Sequence, residues 1–347
     1  MAAEPETLRG LERPQLDAWL AAHVPDAEPP FAFQLIAAGG SNLTYRMEDA
    51  RGRVRVLRRP PAKSGLATAH DMQREWCVLR ALGEHPTGVP VPRVLATCED
   101  ESVTGARFYV MAFVDGLILR DTAVASVLDA ASARRAMESL VATQAAFHTV
   151  DPEAVGLEGF GRPGGYVARQ LARWMKQVQA APVRDLPLLS RVHDVLARNV
   201  PAETLRPGLA HGDYRFDNTV LGPDQRVQAV LDWELCTIGD PVADFFWSLL
   251  YWAEPGDALC VLPDPPTRLP QFPVRAEVEA HYAAITGFDL SARDFHRAFA
   301  WWKQACIVEG VYARLLKGAG GGMRGASPER AAALVECYLD AAAALVL

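Results

Sequence analysis

Lysine is scarce in this chain. Only Lys63, Lys176, Lys303 and Lys317 occur in 347 residues, although lysine and arginine together number 35. Aspartate and glutamate number 42, so the formal charge is −7. No basic patch dominates, which argues against nucleic acid as the main partner. No apolar run reaches the roughly eighteen residues that a membrane-crossing helix needs, so no membrane partner is expected. No C-x-x-C pair occurs among Cys77, Cys98, Cys236, Cys260, Cys306 and Cys337. That excludes the usual zinc-ribbon and disulfide-framework patterns and favours free thiols in a reducing compartment. Met1-Ala-Ala-Glu-Pro-Glu lacks the basic-then-apolar order of a secretory leader. A cytoplasmic protein is expected.

What is present is enough for two lobes sharing one cleft. Leu16, Trp19 and Leu20 share a face behind Pro14, predicting a short helix in an N-terminal extension, residues 1–30. Phe31–Glu48 reads as strand, glycine turn and strand. Arg53–Arg59 is a third strand, stopped by Pro60-Pro61. Met72, Trp76, Leu79 and Leu82 have helical spacing, and Val94–Cys98 and Phe108–Phe113 read as two more strands. Five strands with a helix after the third match the small lobe of a protein-kinase-like fold, assigned to residues 31–113. From there to residue 347 the pattern is mainly helical, with helices over Ala131–His148, Tyr166–Ala180 and Leu188–Arg198. Ser291 and Asp294 resemble a capping box opening a long helix to Lys317. Ser327-Pro328-Glu329 opens the last helix. Gly318–Gly325 reads as a mobile loop. The expected class is α+β, a bilobal protein-kinase-like fold with a small five-stranded N-lobe and a helical C-lobe.

The chemistry is written in residues 211–218, His-Gly-Asp-Tyr-Arg-Phe-Asp-Asn, followed by Gln228-Ala-Val-Leu-Asp232. Phosphoryl transfer needs a carboxylate that takes the proton of a hydroxyl nucleophile. It also needs an amide oxygen and a second carboxylate to hold the magnesium that bridges the nucleotide phosphates. Asp213 fits the first role, and Asn218 and Asp232 the second. The spacing matches the kinase pattern H-x-D-x-x-x-x-N, then strand and Asp. Asp232-Trp233-Glu234 stands where protein kinases have Asp-Phe-Gly. His211 is expected to brace the loop. Asp240 and Asp244 are expected to cap the next helix and support the motif. Arg215 is a candidate for stabilising the transferred phosphate; its competing reading is an ion pair with Asp217 or Glu234.

The other pieces follow the same logic. Gly39-Gly40-Ser41-Asn42 can lay backbone N–H groups over phosphates, with Gly40, Ser41 and Asn42 as contacts. Strand alternation puts Val56 and Arg58 on one face, roofing adenine and reaching phosphate. Arg59 is the competing cation on the other face, otherwise a surface residue. Glu75, on the following helix, would position Arg58. The backbone near Met111 to Phe113 would hydrogen-bond the adenine. Trp247, Trp252, Trp301 and Trp302 read as core or site wall.

With His-Gly-Asp for His-Arg-Asp and Asp-Trp-Glu for Asp-Phe-Gly, the chain resembles the aminoglycoside phosphotransferase and choline kinase family. Gly-Gly-Ser-Asn-Leu-Thr-Tyr resembles that family's phosphate loop. Leu57-Arg58-Arg59-Pro60-Pro61 and Asp232-Trp233-Glu234 are similar to a bacterial branch related to the kinase-like domain fused to some acyl-CoA dehydrogenases. The resemblance implies Mg-ATP-dependent phosphorylation of a small-molecule hydroxyl, on a hydroxyacyl-CoA or hydroxy acid. It departs from the family pattern at Arg58, where lysine is usual. The alternatives are an aminoglycoside O-phosphotransferase and a nucleotide-binding regulatory pseudo-kinase. Residues 255–347 hold acids and bases in similar numbers beside apolar runs such as Phe299-Ala-Trp-Trp. That balance disfavours a polycationic acceptor.

Overall fold

The computed structural model describes residues 11, 13–38, 42–61, 72–318 and 327–347. Gly39, Gly40 and Ser41, and positions 319–325 of the glycine-rich segment, lie outside the described residues. The chain divides into two compact units: Met1–Leu117, Glu153–Leu157 and Asn218–Cys236 form the first, and Ile118–Pro152, Glu158–Asp217 and Thr237–Leu347 the second.

The first unit is built on a five-stranded antiparallel sheet. Its strands are β1 (Ala32–Ala38), β2 (Leu43–Glu48), β3 (Val54–Arg59), β4 (Val94–Cys98) and β5 (Phe108–Ala112), in the order β1-β2-β3-β5-β4. Alternation sends Tyr45, Met47, Leu57, Phe108 and Val110 into one core, where Leu16 and Leu20 from helix α1 (Arg13–His23) and Val24 just past it join them. Helix α2 (Met72–Glu84) buries Met72, Trp76, Val78, Leu79 and Leu82, the helical period read in the sequence. A two-stranded hairpin completes the unit: β7 (Thr219–Leu221) and β8 (Val227–Val230), following β6 (Gly208–Ala210) in chain order.

The second unit is mainly helical. Helices α3 (Thr122–Ala125), α4 (Ala130–Thr149), α5 (Tyr166–Ala180) and α6 (Pro187–Arg198) precede β6. Strand β9 (Thr237–Gly239) pairs antiparallel with β6. Helices α7 (Pro241–Leu249), α8 (Arg275–Thr286), α9 (Arg293–Leu316) and α10 (Pro328–Val346) follow. Its core interdigitates Leu171, Val192, Leu196, Phe299, Trp302, Val335 and Leu339. Among the described residues no helix is long and apolar enough to cross a membrane.

Of the three helix starts read from the sequence, two follow the expected chemistry and one does not. Asp240 accepts from the N–H groups of Val242 and Ala243, and Ser327 from that of Arg330. Ser291 does not cap α9. Its N–H and hydroxyl both donate to Asp289, at 2.8 and 2.9 Å, and the helix opens at Ala292 with no side-chain cap. A competing local turn has taken the serine.

Gly208 marks the closest backbone approach. A Cβ there would lie 1.9 Å from the carbonyl oxygen of His148, at the end of α4. Neither partner is a side chain that can swing aside. Gly208→Ala is therefore expected to cost about 1–3 kcal/mol, as overpacking generally does. A urea midpoint would register it, and an unchanged midpoint would mean that the end of α4 yields freely.

Candidate active site

The first unit gathers four charged groups. Arg58 Nε donates to Glu75 Oε2 at 3.0 Å, and Arg58 Nη2 forms a short ion pair with Asp232. Glu234 stands 3.9 Å from the same nitrogen, and its carboxylate accepts from Asn42 Nδ2 at 2.7 Å. Arg58 thus binds two carboxylates through two different nitrogens. A lysine, with one ammonium, presents a single point where the arginine presents a fork. Burial opposes the charge on Arg58, but Glu75, Tyr109, Asp232 and Glu234 outweigh it, and its pKa is raised. Burial pushes the Glu75 carboxyl up, with Arg58 pulling it back. Glu75 is 1% exposed, so its charge depends on that partner.

Local folding explains how Asp232 arrives there. Leu231 N–H donates to Asn218 O at 2.8 Å, so Asn218 and Asp232 leave the two arms of one hairpin side by side. The fully buried Trp233 donates its indole N–H to Val230 O and anchors the turn. Arg74 Nη2 reaches Cys236 O at 3.3 Å, tying α2 to the segment just beyond. Asp232 itself adopts φ 63°, a left-handed conformation that aspartate tolerates better than most residues. Val56 is the register partner of Met111, and both are buried; Phe113 is exposed just past β5.

Arg59 corrects an expectation. It is not a surface residue but is completely buried, near Tyr45, with Nε donating to Pro60 O. The first unit has a core on the second face of its sheet as well, so the alternate strand position is not solvent.

In the second unit, the motif hangs on Asp244. Its carboxylate accepts the N–H of His211 at 3.1 Å, the N–H of Gly212 at 3.0 Å and a hydrogen bond from His148 Nε2 at 3.1 Å. Burial alone would raise the Asp244 pKa; the His148 bond, the nearby histidines and the Gly212 N–H outweigh it, and the pKa is lowered. His148 is held in turn by Tyr282, whose ring stacks on Phe245. His211 Nδ1 accepts from Asp213 N–H at 3.2 Å, a bracing role. Trp247 donates its indole N–H to Gly212 O at 2.7 Å.

Around Asp213 the structure places Arg215, Asp217 and Tyr251. Arg215 Nη2 is 3.4 Å from Asp213 Oδ2, and its Nε is 2.9 Å from Asp217 Oδ1. The same guanidinium lies 4.9 Å from the centre of the Tyr251 ring. Arg215 therefore faces the motif carboxylate and also makes the competing pair with Asp217. Burial raises the Asp217 pKa, opposed by Arg215 and furthered by Asp213. Tyr251 donates its hydroxyl to Asp213; burial first, then the Asp213 charge, holds that phenol well above its usual pKa.

Sequence reasoning missed Tyr251 and Lys303. Tyr251 lies just past α7 and shares no spacing rule with the motif. Lys303 carried a signal: a rare lysine on the apolar run of α9, directly after Trp302. A hydrogen bond to a charged group is worth about 1.5–3 kcal/mol. Tyr251→Phe is thus expected to lower kcat roughly 10- to 150-fold without loss of fold, checked by steady-state kinetics beside a thermal melt. Unchanged kcat would remove Tyr251 from the site.

Comparison with known proteins gives the family and the fold. A family model described as "Phosphotransferase enzyme family" matches residues 32–264. Human acyl-CoA dehydrogenase family member 11 is 34% identical over 310 residues, covering 87% of this chain and 39% of that protein. The chain thus spans well under half of that relative. A crystal structure from Ralstonia eutropha JMP134, of a protein proposed to be an aminoglycoside phosphotransferase, is 30% identical with a TM-score of 0.78, covering 95% of this chain and 98% of that one. A thermostable variant of an aminoglycoside phosphotransferase, in ternary complex with AMP-PNP and hygromycin B, gives a TM-score of 0.59 at 15% identity, covering 96% and 98%. At that identity the likeness is one of fold.

Proposed function

The chain belongs to the phosphotransferase enzyme family, and on that premise we propose that it moves the γ-phosphoryl group of ATP to a hydroxyl of a small molecule, a hydroxy acid or hydroxyacyl-CoA. The observation that carries this reading is Arg58, held at once by Glu75 and Asp232. Kinase chemistry uses a phosphate-facing cation paired with a helix glutamate, and a second motif aspartate nearby that holds the metal.

The residues present fit the two groups the reaction needs. Buried Val56 and Met111, side by side on β3 and β5, suit an apolar base, and Arg58 suits phosphate. Asn42 belongs to the proposed phosphate loop, together with Gly40 and Ser41. Phe113 and Met111 mark the backbone that would meet adenine. Among the described residues no three His, Cys, Asp or Glu side chains form a metal cage. An amide and a carboxylate, Asn218 and Asp232, suit magnesium, which keeps several waters and binds through phosphates. When bound there, magnesium would neutralise phosphate charge.

The protein's own residues do the rest. Asp213 accepts the hydroxyl proton as the acceptor oxygen bonds to the γ-phosphorus and the bond to ADP breaks. Tyr251 fixes the orientation of that carboxylate, and Arg215 offsets charge on the transferred group. Residues 31–113 are assigned to nucleotide phosphates and 114–347 to the catalytic loop and acceptor. Leu140, Val141, Phe216, Leu249 and Trp252 form an apolar wall beside Arg215 and Asp217, around a cavity of only about 30 Å³. Six free cysteines fit a cytoplasmic setting.

The test is ADP release with Mg-ATP across hydroxyacyl-CoAs, hydroxy acids, aminoglycosides, choline and sugars. Turnover of a hydroxy acid or hydroxyacyl-CoA is expected. Turnover of aminoglycosides alone would move the acceptor assignment. ATP binding with no turnover of any acceptor would sink the enzymatic reading in favour of a regulatory one.

A further inference from the structure

Lys303 is a buried cation that the phosphotransfer machinery does not use. It sits on α9, 8% exposed, with its ammonium 3.7 Å from the centre of the Trp247 ring. A lysine rarely gives up water without an anionic partner. Here the π-face of Trp247 supplies part of the compensation, and no carboxylate lies within ion-pair distance of Lys303 among the described residues. The neighbouring charges are otherwise engaged. Asp244 holds the N–H groups of His211 and Gly212 and the ring of His148. Asp213 is taken by Arg215 and Tyr251.

The placement gives this cation a direction. Trp247 holds Gly212 O through its indole N–H, so the ring under Lys303 is joined to the residue just before Asp213. Tyr251, which donates to Asp213, packs edge-on to Trp247 with ring centres 6.0 Å apart. Burial lowers the Lys303 pKa to about 8, with Asp244 opposing, Arg173 adding and Asp213 opposing. Near neutral pH the group is still mainly ammonium.

We infer that Lys303 anchors a carboxylate of the acceptor next to Asp213, so that the acceptor is a hydroxy acid recognised as an anion. A buried ammonium without a counter-ion binds an anion without first breaking an ion pair. The cation beside Asp213, Arg215, offers no such opening, because Asp213 and Asp217 occupy it. The same ammonium repels a polycation brought to Asp213. The inference rests on the phosphotransferase reading and narrows its acceptor class.

The experiment uses matched pairs: four- to eight-carbon hydroxycarboxylates and their primary amides, which keep the hydroxyl and lose the charge. Each is measured by ADP release and, with AMP-PNP present, by calorimetric binding. The wild type is expected to prefer acid over amide by tenfold or more in kcat/KM. Lys303→Met should bring that ratio close to one, while Lys303→Arg should keep part of it. ADP affinity, measured on each variant, reports whether it is folded. A residue that only packs against Trp247 would change acid and amide alike and leave the ratio in place. Retention of the ratio in Lys303→Met, or equal use of acid and amide by the wild type, would overturn the anchor. Turnover confined to neutral or cationic acceptors would overturn it too, while leaving phosphoryl transfer standing. Lys303-dependent binding of the acids without any ADP release would keep the anchor and sink phosphoryl transfer.

Discussion

Asp213→Asn is expected to lower kcat by about two to four orders of magnitude, the usual worth of a positioned general base. The fold should survive. The loop around residue 213 is held by backbone N–H groups on Asp244, by the His211 ring and by Trp247, none of which needs the Asp213 charge. An amide can still accept from Tyr251 but cannot take up a proton at neutral pH. Nucleotide affinity should shift little, because the groups proposed to meet phosphate are Arg58, Asn218 and Asp232. Steady-state ADP release beside an ADP titration separates the two effects. Full activity in the variant would show that Asp213 is not the base; lost ADP binding would show that it serves the nucleotide instead.

Arg58→Met carries the second large effect, and it falls on stability as well as binding. Glu75 is 1% exposed and the Arg58 side chain 11%. Removing the cation leaves a buried carboxylate uncompensated, a change that typically costs about 3–5 kcal/mol. The sign of the pH dependence follows. Glu75 would titrate above its unfolded value, so the folded variant would hold more protons than the unfolded chain between the two pKa values. The penalty is then present at high pH and is relieved as pH falls through the folded pKa. The thermal midpoints of wild type and variant should converge on acidification. A double variant, Arg58→Met with Glu75→Leu, should recover most of the stability, since an apolar pair can replace a buried ion pair. It should not recover ATP affinity, expected to drop roughly 10- to 150-fold with loss of a charged hydrogen bond. A single variant as stable as wild type at neutral pH would show that Glu75 is protonated in the native protein. Unchanged ATP affinity would remove Arg58 from the phosphates.

Much of this was legible because local rules act over short distances. Alternation placed Val56 and Arg58 on one face, and helical spacing put Glu75 near the buried face of α2. The run from His211 to Asn218 and the strand before Asp232 carried the motif as contiguous text. What escaped the sequence came from long-range packing. Arg59 was misread because a strand pattern shows two faces but not how many are covered. Ser291 was misread because capping and a turn to Asp289 compete for the same hydroxyl. Tyr251, just past α7, and Lys303, on α9, come near the motif through long-range packing, and although lysine is rare here, no spacing in a single sequence encodes that placement.

The chain order of the two units has a practical consequence for anyone cutting the gene. The backbone enters the first unit, leaves after Leu117, returns for Glu153–Leu157, and returns again for Asn218–Cys236. A fragment ending at Leu117 would contain the five-stranded sheet, Arg58 and Glu75 but neither Asp232 nor Glu234. Its arginine would keep one carboxylate of the three that now surround it. The complementary fragment would carry a hairpin, with Asp232 at its end, that has lost the sheet it was folded with. Split-protein reporters or truncation libraries built at that boundary should therefore give insoluble halves, and breakpoints inside exposed loops of a single unit should do better.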